Sequence, residues 1–273
     1  MTAAITAIAP VLLAVAVAAW VDLRTRQAGL DPPGFESPVR RWGALMLLSL
    51  FFWIVVFSAF AGVAGDAQVD FEAISDWQLF ALHALMVATI LGWYALGYGG
   101  GAGGGTSLAE QVGLVARRPL AEVGLGLVFG VGAWLVVLLG VVVVALILSA
   151  LGGEDLLPKA PPDMIPWIAA RPWWLRLAVA LSAGFFEEAF FRGFLQPRVG
   201  IPLSTLLFVA AHISYDQPFM LVGVTLLSLL YALLVRWRQS IWAAATAHAL
   251  FDGVQLLLVI PSVLDVWNVQ GGG

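Results

Sequence analysis

The 273-residue chain contains no cysteine. Disulfides, thiolate catalysis and thiolate metal sites are therefore excluded. Charge is scarce too: Asp, Glu, Lys and Arg are 11% of the residues, against about a quarter in soluble domains. The net charge of −4 comes without any basic stripe, so nucleic acid finds no footprint. The stretch "GYGGGAGGGTS", Gly97 to Ser107, lacks the lysine that a phosphate-cradling loop needs after its glycines. It reads as a flexible linker. No internal repeat is visible, which removes sequence support for an inverted-repeat transporter.

Apolar residues are abundant instead. They make up 61% of the chain, and the mean hydropathy is +0.95. Such a chain lacks the polar groups to cover itself in water, so its solvent is lipid. About twenty apolar residues are needed to cross the hydrocarbon. Eight segments qualify as candidate spans: 3–20, 42–64, 77–97, 121–151, 173–195, 201–214, 219–235 and 240–260. The sixth is short and needs its neighbours around it. The first lacks a basic n-region and reads as a retained helix. The expected fold is an all-α polytopic membrane bundle of about eight helices. It forms one domain, with N-terminal helices and linkers (1–165), a core (166–262) and a short tail (263–273). Tryptophans at run ends, such as Trp20, Trp42, Trp77 and Trp173, suit interfacial anchoring.

The loops sort by charge. Nine of the thirteen basic residues (Arg24, Arg26, Arg40, Arg41, Arg117, Arg118, Arg198, Arg236 and Arg238) fall on alternate loops. Loop 65–76 carries Asp66, Asp70, Glu72 and Asp76 with no base. The positive-inside rule then predicts both termini outside, in the plasma (inner) membrane.

Ionisable groups within spans cost roughly 2.5–3.5 kcal/mol each on insertion scales, so each is a functional candidate. The chain places His83, Glu187, Glu188, Arg192, His212, His248 and Asp252 there. Glu188 and Arg192 are four residues apart and share a helix face, as do His248 and Asp252. Glu187 points about 100° away from Glu188, so it is left unneutralised. Counted from the inner ends of their spans, Glu187 and His248 lie about 12 Å deep and His212 about 15 Å. They therefore reach one level from three helices. His83, about 9 Å from the outer end of the third span, does not match that level and reads as a structural, hydrogen-bonded histidine.

A carboxylate in a low-dielectric pocket can act as a base near neutral pH, and a histidine beside it can help to deprotonate water. Donors opposite can stabilise the oxyanion formed on a carbonyl. Glu187, His212 and His248 supply these roles without a serine or cysteine nucleophile.

Three motifs now fall into order: "EEAFFR" (Glu187 to Arg192), "FVAAH" (Phe208 to His212) and "HALFD" (His248 to Asp252). They match EExxxR, FxxxH and HxxxN/D. The chain thus resembles the CAAX protease and bacteriocin-processing (CPBP) family of intramembrane proteases over about residues 170–260. The resemblance implies an eight-helix bundle that hydrolyses peptide bonds of a membrane-associated peptide or protein. It implies that Glu187 and His212 activate water and that His248 and Asp252 form the opposite wall. Glu188, Arg192 and Phe208 become supporting groups.

Asp252 stands where the best-understood members of that family carry asparagine, and an ionised aspartate cannot donate to an oxyanion. Two histidines plus carboxylates (Glu187, His212, His248, Asp252) also compose a plausible zinc set. No cofactor is the favoured expectation and zinc the alternative. A non-catalytic scaffold or immunity protein and a proton-coupled transporter are the competing functions. The expected partners are the bilayer and a membrane-associated substrate, with no nucleic acid.

Overall fold

The computed structural model describes residues 2–64, 70–99, 107–157, 162–213 and 219–264. Most of the glycine linker, Asp66, Lys159 and nearly all of the C-terminal tail lie outside the described residues. Among the described residues the chain is helical, with no strand. The elements are α1 (Thr2–Gln27), α2 (Pro38–Ala64), α3 (Ala81–Tyr98), α4 (Leu108–Gln111), α5 (Pro119–Ala150), α6 (Met164–Ala169), α7 (Trp173–Ser182), α8 (Gln196–Ala211), α9 (Met220–Arg238) and α10 (Trp242–Val254). A π-helical stretch, Ala183–Leu195, joins α7 to α8, and another, Gln255–Val259, extends α10. Helices are what lipid demands, because each backbone N–H and C=O must find its partner inside the segment.

Seven candidate spans are present among the described residues by length and composition, where the sequence suggested about eight. The difference lies in Trp173–Ala211, a continuous 39-residue run that unites the expected fifth and sixth spans. It does not run straight. Gly200 has φ 79° and ψ 170°, a conformation that favours glycine, and Pro202 follows it. The chain reverses there. Ser204 donates to the Phe191 carbonyl at 2.7 Å, and the Phe191 and Phe208 rings pack edge to face at 5.1 Å. On a straight helix, residues 191 and 204 would be about 20 Å apart.

Small residues let the helices close on one another without polar glue. At Gly126 an added Cβ would lie 2.5 Å from the Ala243 carbonyl oxygen, and at Gly184 one would lie 2.6 Å from the Ala249 nitrogen. These contacts draw α5 and the π-helical stretch onto α10. Aromatic packing fills the middle: Phe51 on α2, Trp93 on α3, and Phe190, Phe191 and Phe194 are all at most 1% exposed. One continuous core therefore joins the N-terminal helices to the motif-bearing segment.

The arginine-bearing ends of the helices are tied together. Arg238 holds Glu122 through two hydrogen bonds, and Arg41 and Arg26 both reach Asp22. Ser107 caps α4 and accepts from the Glu110 N–H, while the Glu110 side chain accepts from Ser107 in return. These bonds hold the exposed Glu110 carboxyl below its ordinary range. The turn after α4 docks on the start of α10: Ile241 N–H donates to the Gly113 carbonyl and Trp242 Nε1 to that of Leu114.

Gly184→Val is expected to separate the π-helical stretch from α10. Overpacking of this kind costs about 1–3 kcal/mol. A lowered unfolding temperature of the purified protein in detergent, with Gly253→Ala as the control in open space, checks it.

Candidate active site

The π-helical stretch carries the two adjacent carboxylates. A π-helix is wider than an α-helix and shorter per residue, and such segments recur at functional sites. Here it delivers Glu187 and Glu188, both buried, to different surroundings.

Glu188 faces the protein. Its Oε1 lies 3.1 Å from Arg192 Nη1 and accepts a 2.9 Å hydrogen bond from His248 Nδ1. The Arg192 guanidinium also sits over the Phe208 ring, 4.0 Å from its centroid, and Nη2 donates to the Ser228 carbonyl of α9. Tyr231 of α9 stacks on the His248 ring at 5.2 Å. His248 Nε2 lies 3.4 Å from Asp252 Oδ2. Both ring nitrogens of His248 thus face carboxylates, an arrangement made by an imidazole that donates from both. The expected pairs Glu188–Arg192 and His248–Asp252 are both present.

Glu187 faces a cavity of about 580 Å³. Its Oε1 is bonded at 3.3 Å to His83 Nε2, and its Oε2 stands 3.9 Å from His212 Nε2. Oε2 is buried with no hydrogen-bond partner among the described residues. His212 Nδ1 donates to the Phe208 carbonyl at 2.7 Å, which in a neutral imidazole leaves Nε2 as the acceptor. The Phe208 ring backs His212 at 4.5 Å. Glu187, His212, His248 and Asp252 all line this one cavity.

His83 lines it as well and is hydrogen-bonded as expected, but to Glu187, so the expected mismatch in level is corrected. The residue count had treated both helices as upright α-helices. Span five is π-helical for 13 residues and continues past Leu195 to Gly200, which moves Glu187 away from the inner end. The available signal was rarity: the chain has three histidines, and all three meet in one cavity. Tyr231 was also missed, since a tyrosine in an apolar span carries no pattern of its own.

Among the described residues no three His, Asp or Glu side chains are grouped to hold a metal ion. His248 directs its two nitrogens to Glu188 and Asp252, and His83 binds Glu187 rather than an open coordination position. This donor set does not fit zinc, which takes three or four convergent ligands at about 2.0–2.2 Å.

Residues 169–254 match the family model of the Type II CAAX prenyl endopeptidases, Rce1-like. The matched segment contains Glu187, Glu188, Arg192, His212, His248 and Asp252, whereas His83 lies outside it. YpbD of Bacillus subtilis (strain 168), described as an uncharacterized protein, is 35% identical over 77 residues, 28% of this chain and 41% of YpbD. The chain therefore spans about two fifths of that relative's length. No solved structure matches. The CAAX-endopeptidase match and the seven apolar spans together make this an integral, multi-pass membrane protein of polytopic helical architecture.

Breaking the buried Glu188 cluster should unfold the core rather than only silence the site. Arg192→Ala leaves Glu188 buried without its guanidinium, a loss of about 3–5 kcal/mol. The paired change Glu188→Gln with Arg192→Met should be milder. Thermal unfolding of the three purified proteins gives the order.

Proposed function

We propose that this protein is an intramembrane endopeptidase of the CAAX-protease type, in which Glu187 and His212 activate a water molecule without a metal. One observation carries the reading: Glu187 Oε2, buried with no hydrogen-bond partner among the described residues, stands 3.9 Å from His212 Nε2. Two acceptors at that spacing suit one water that donates a proton to each, at about 2.8 Å from both. The match over residues 169–254 supports the peptide-bond chemistry.

The steps follow from these positions. The substrate carbonyl lies between the water and His248. As the water oxygen attacks, a C–O bond forms and Glu187 takes the proton, with His212 aligning the water through Nε2. The carbonyl π electrons move onto oxygen, and His248, anchored through Nδ1 on Glu188, turns the Nε2–H that faces Asp252 in the free site to that oxyanion. Asp252 acts through His248 and does not donate. The intermediate then collapses: the C–N bond breaks, and the proton on Glu187 passes to the leaving amine. His83 fixes the Glu187 carboxylate by donating to Oε1, so that Oε2 is the atom presented to water.

Glu187→Gln keeps the shape and removes the base. It should lower cleavage by about 10²–10⁴-fold with the unfolding temperature nearly unchanged. Comparing trimmed membrane peptides in cells carrying wild type or Glu187→Gln supplies the substrate and the test. Equal peptide profiles would leave a scaffold or a transporter as the better reading.

His83→Ala should cost roughly tenfold or more in kcat, the rate equivalent of about 1.5 kcal/mol, the low end for a hydrogen bond to a charged group. His83→Gln, which can still donate, should restore part of it. Dialysis against a chelator should leave the activity in place, and loss reversed by zinc would overturn the metal-free mechanism.

A further inference from the structure

The cavity is not centred in the bundle. On the third span it is lined by Leu79, just before α3, and by Leu82, His83 and Met86, at the beginning of a segment that runs from Asp76 to Tyr98. On α9 it takes Met220 to Leu227 and nothing from the half that ends in Arg236 and Arg238. On α5 it takes Val137 and Val141, far from the Arg118 cap. On the last span it takes residues from His248 to Ile260 and not the start that docks on Gly113. The short helix α6 contributes four of its residues, from Met164 to Ile168. The cavity thus lies in the half away from Arg41, Arg118, Arg198, Arg236 and Arg238, while Arg171 and Arg176 stand at its own end, Arg171 paired with Asp76 and Arg176 donating to the Leu256 carbonyl.

The opposite end is closed. Beyond Glu187 toward Arg198 come Phe190, Phe194 and Leu195, with Trp93 beside them, each at most 1% exposed. Trp93 and Phe194 meet edge to face at 5.4 Å, and the Arg198 guanidinium lies 4.2 Å from the Phe194 centroid. Four packed apolar side chains leave no room for a peptide.

The arginine-rich ends mark the cytoplasmic side by the positive-inside rule. We infer that the site receives its substrate from the extracytoplasmic face, as an apolar peptide segment that lies at the outer surface of the membrane. The inference rests on the hydrolase reading for what happens to that peptide, but not for the side from which it comes. The lining explains the apolar preference. Around the catalytic groups stand Leu79, Leu82, Met86, Val141, Met164 and Leu227. No Lys or Arg lines the cavity among the described residues. Side chains next to the cleaved bond are therefore held by apolar contact and not by ion pairs. Substrates of this class are the membrane-bound segments of exported proteins.

The absence of cysteine makes the test direct. Met164→Cys and Leu79→Cys each place one thiol in the cavity wall, and Arg117→Cys places one on the opposite side. Intact spheroplasts are treated with a membrane-impermeant maleimide, and inside-out vesicles are treated in parallel. Met164→Cys and Leu79→Cys should be labelled in spheroplasts and spared in sealed inside-out vesicles, with Arg117→Cys showing the reverse. Labelling of both cavity positions only in inside-out vesicles, or only by a maleimide dissolved in the membrane, overturns the inference. Repeating the labelling in the Glu187→Gln background separates the two ideas. Unchanged labelling with equal peptide profiles in wild type and Glu187→Gln sinks the hydrolase reading alone, whereas cytoplasmic labelling with wild-type cleavage intact sinks only the outer access.

Discussion

Glu188 is the point on which the rest of the structure turns. It is fully buried, and its Oε1 meets both Arg192 and His248. A lone carboxylate at this depth would be untenable, and a lone guanidinium likewise. Because the partners come from one turn of the π-helical stretch and from α10, the charge can be neutralised only when those two segments are docked. Arg192 extends the requirement to α9 through the Ser228 carbonyl, and to α8 through the Phe208 ring. Four segments are thus held in one register by a single ion cluster. The same bond that Glu188 Oε1 accepts orients His248, so the stability of the core and the aim of the site are one fact.

With that register set, the bundle divides into a sealed half and a hollow half. Aromatic side chains fill the space between Glu187 and the arginine-bearing ends. On the other side of Glu187, α6 and the widened second half of the last span line an opening instead of filling it. Membrane helices gain little from apolar contact with each other, since lipid is an equally good partner. Close approach of backbones at Gly126, Gly130 and Gly184 brings them together where packing matters. A hollow is tolerated where the ion cluster has already fixed the walls.

Much of this site could be read from the chain. Glu188 with Arg192, and His248 with Asp252, were visible because a four-residue spacing puts side chains on one face whether or not the helix is regular. Glu187 was visible as the charge left over. His83 was not, because residue number measures distance along an axis and says nothing of tilt, and because a 13-residue π-helical stretch shortens the axis it is measured along. The break at Gly200 was equally hidden in kind. A glycine before a proline-containing turn announces an interruption, but only the Ser204–Phe191 contact tells that the chain folds back on itself. The side chains that met expectation obey local geometry; those that did not depend on how helices lean.

The pairing of two carboxylates has a consequence for protons. The buried cluster contains Glu187, Glu188 and Asp252 against one permanent cation, Arg192, so three negative charges face one positive. In a medium that screens poorly, the unmatched carboxylates need donors turned toward them. His248, set between Glu188 and Asp252, presents one nitrogen to each. On the cavity side Glu187 Oε1 accepts from His83 and Oε2 faces His212. A hydrolase needs such a division: one proton fixed on the wall that meets the oxyanion, and one place from which a proton is first taken up and then returned to the amine. Adjacent glutamates on one wide helix supply both, because their neighbours differ while their depth does not.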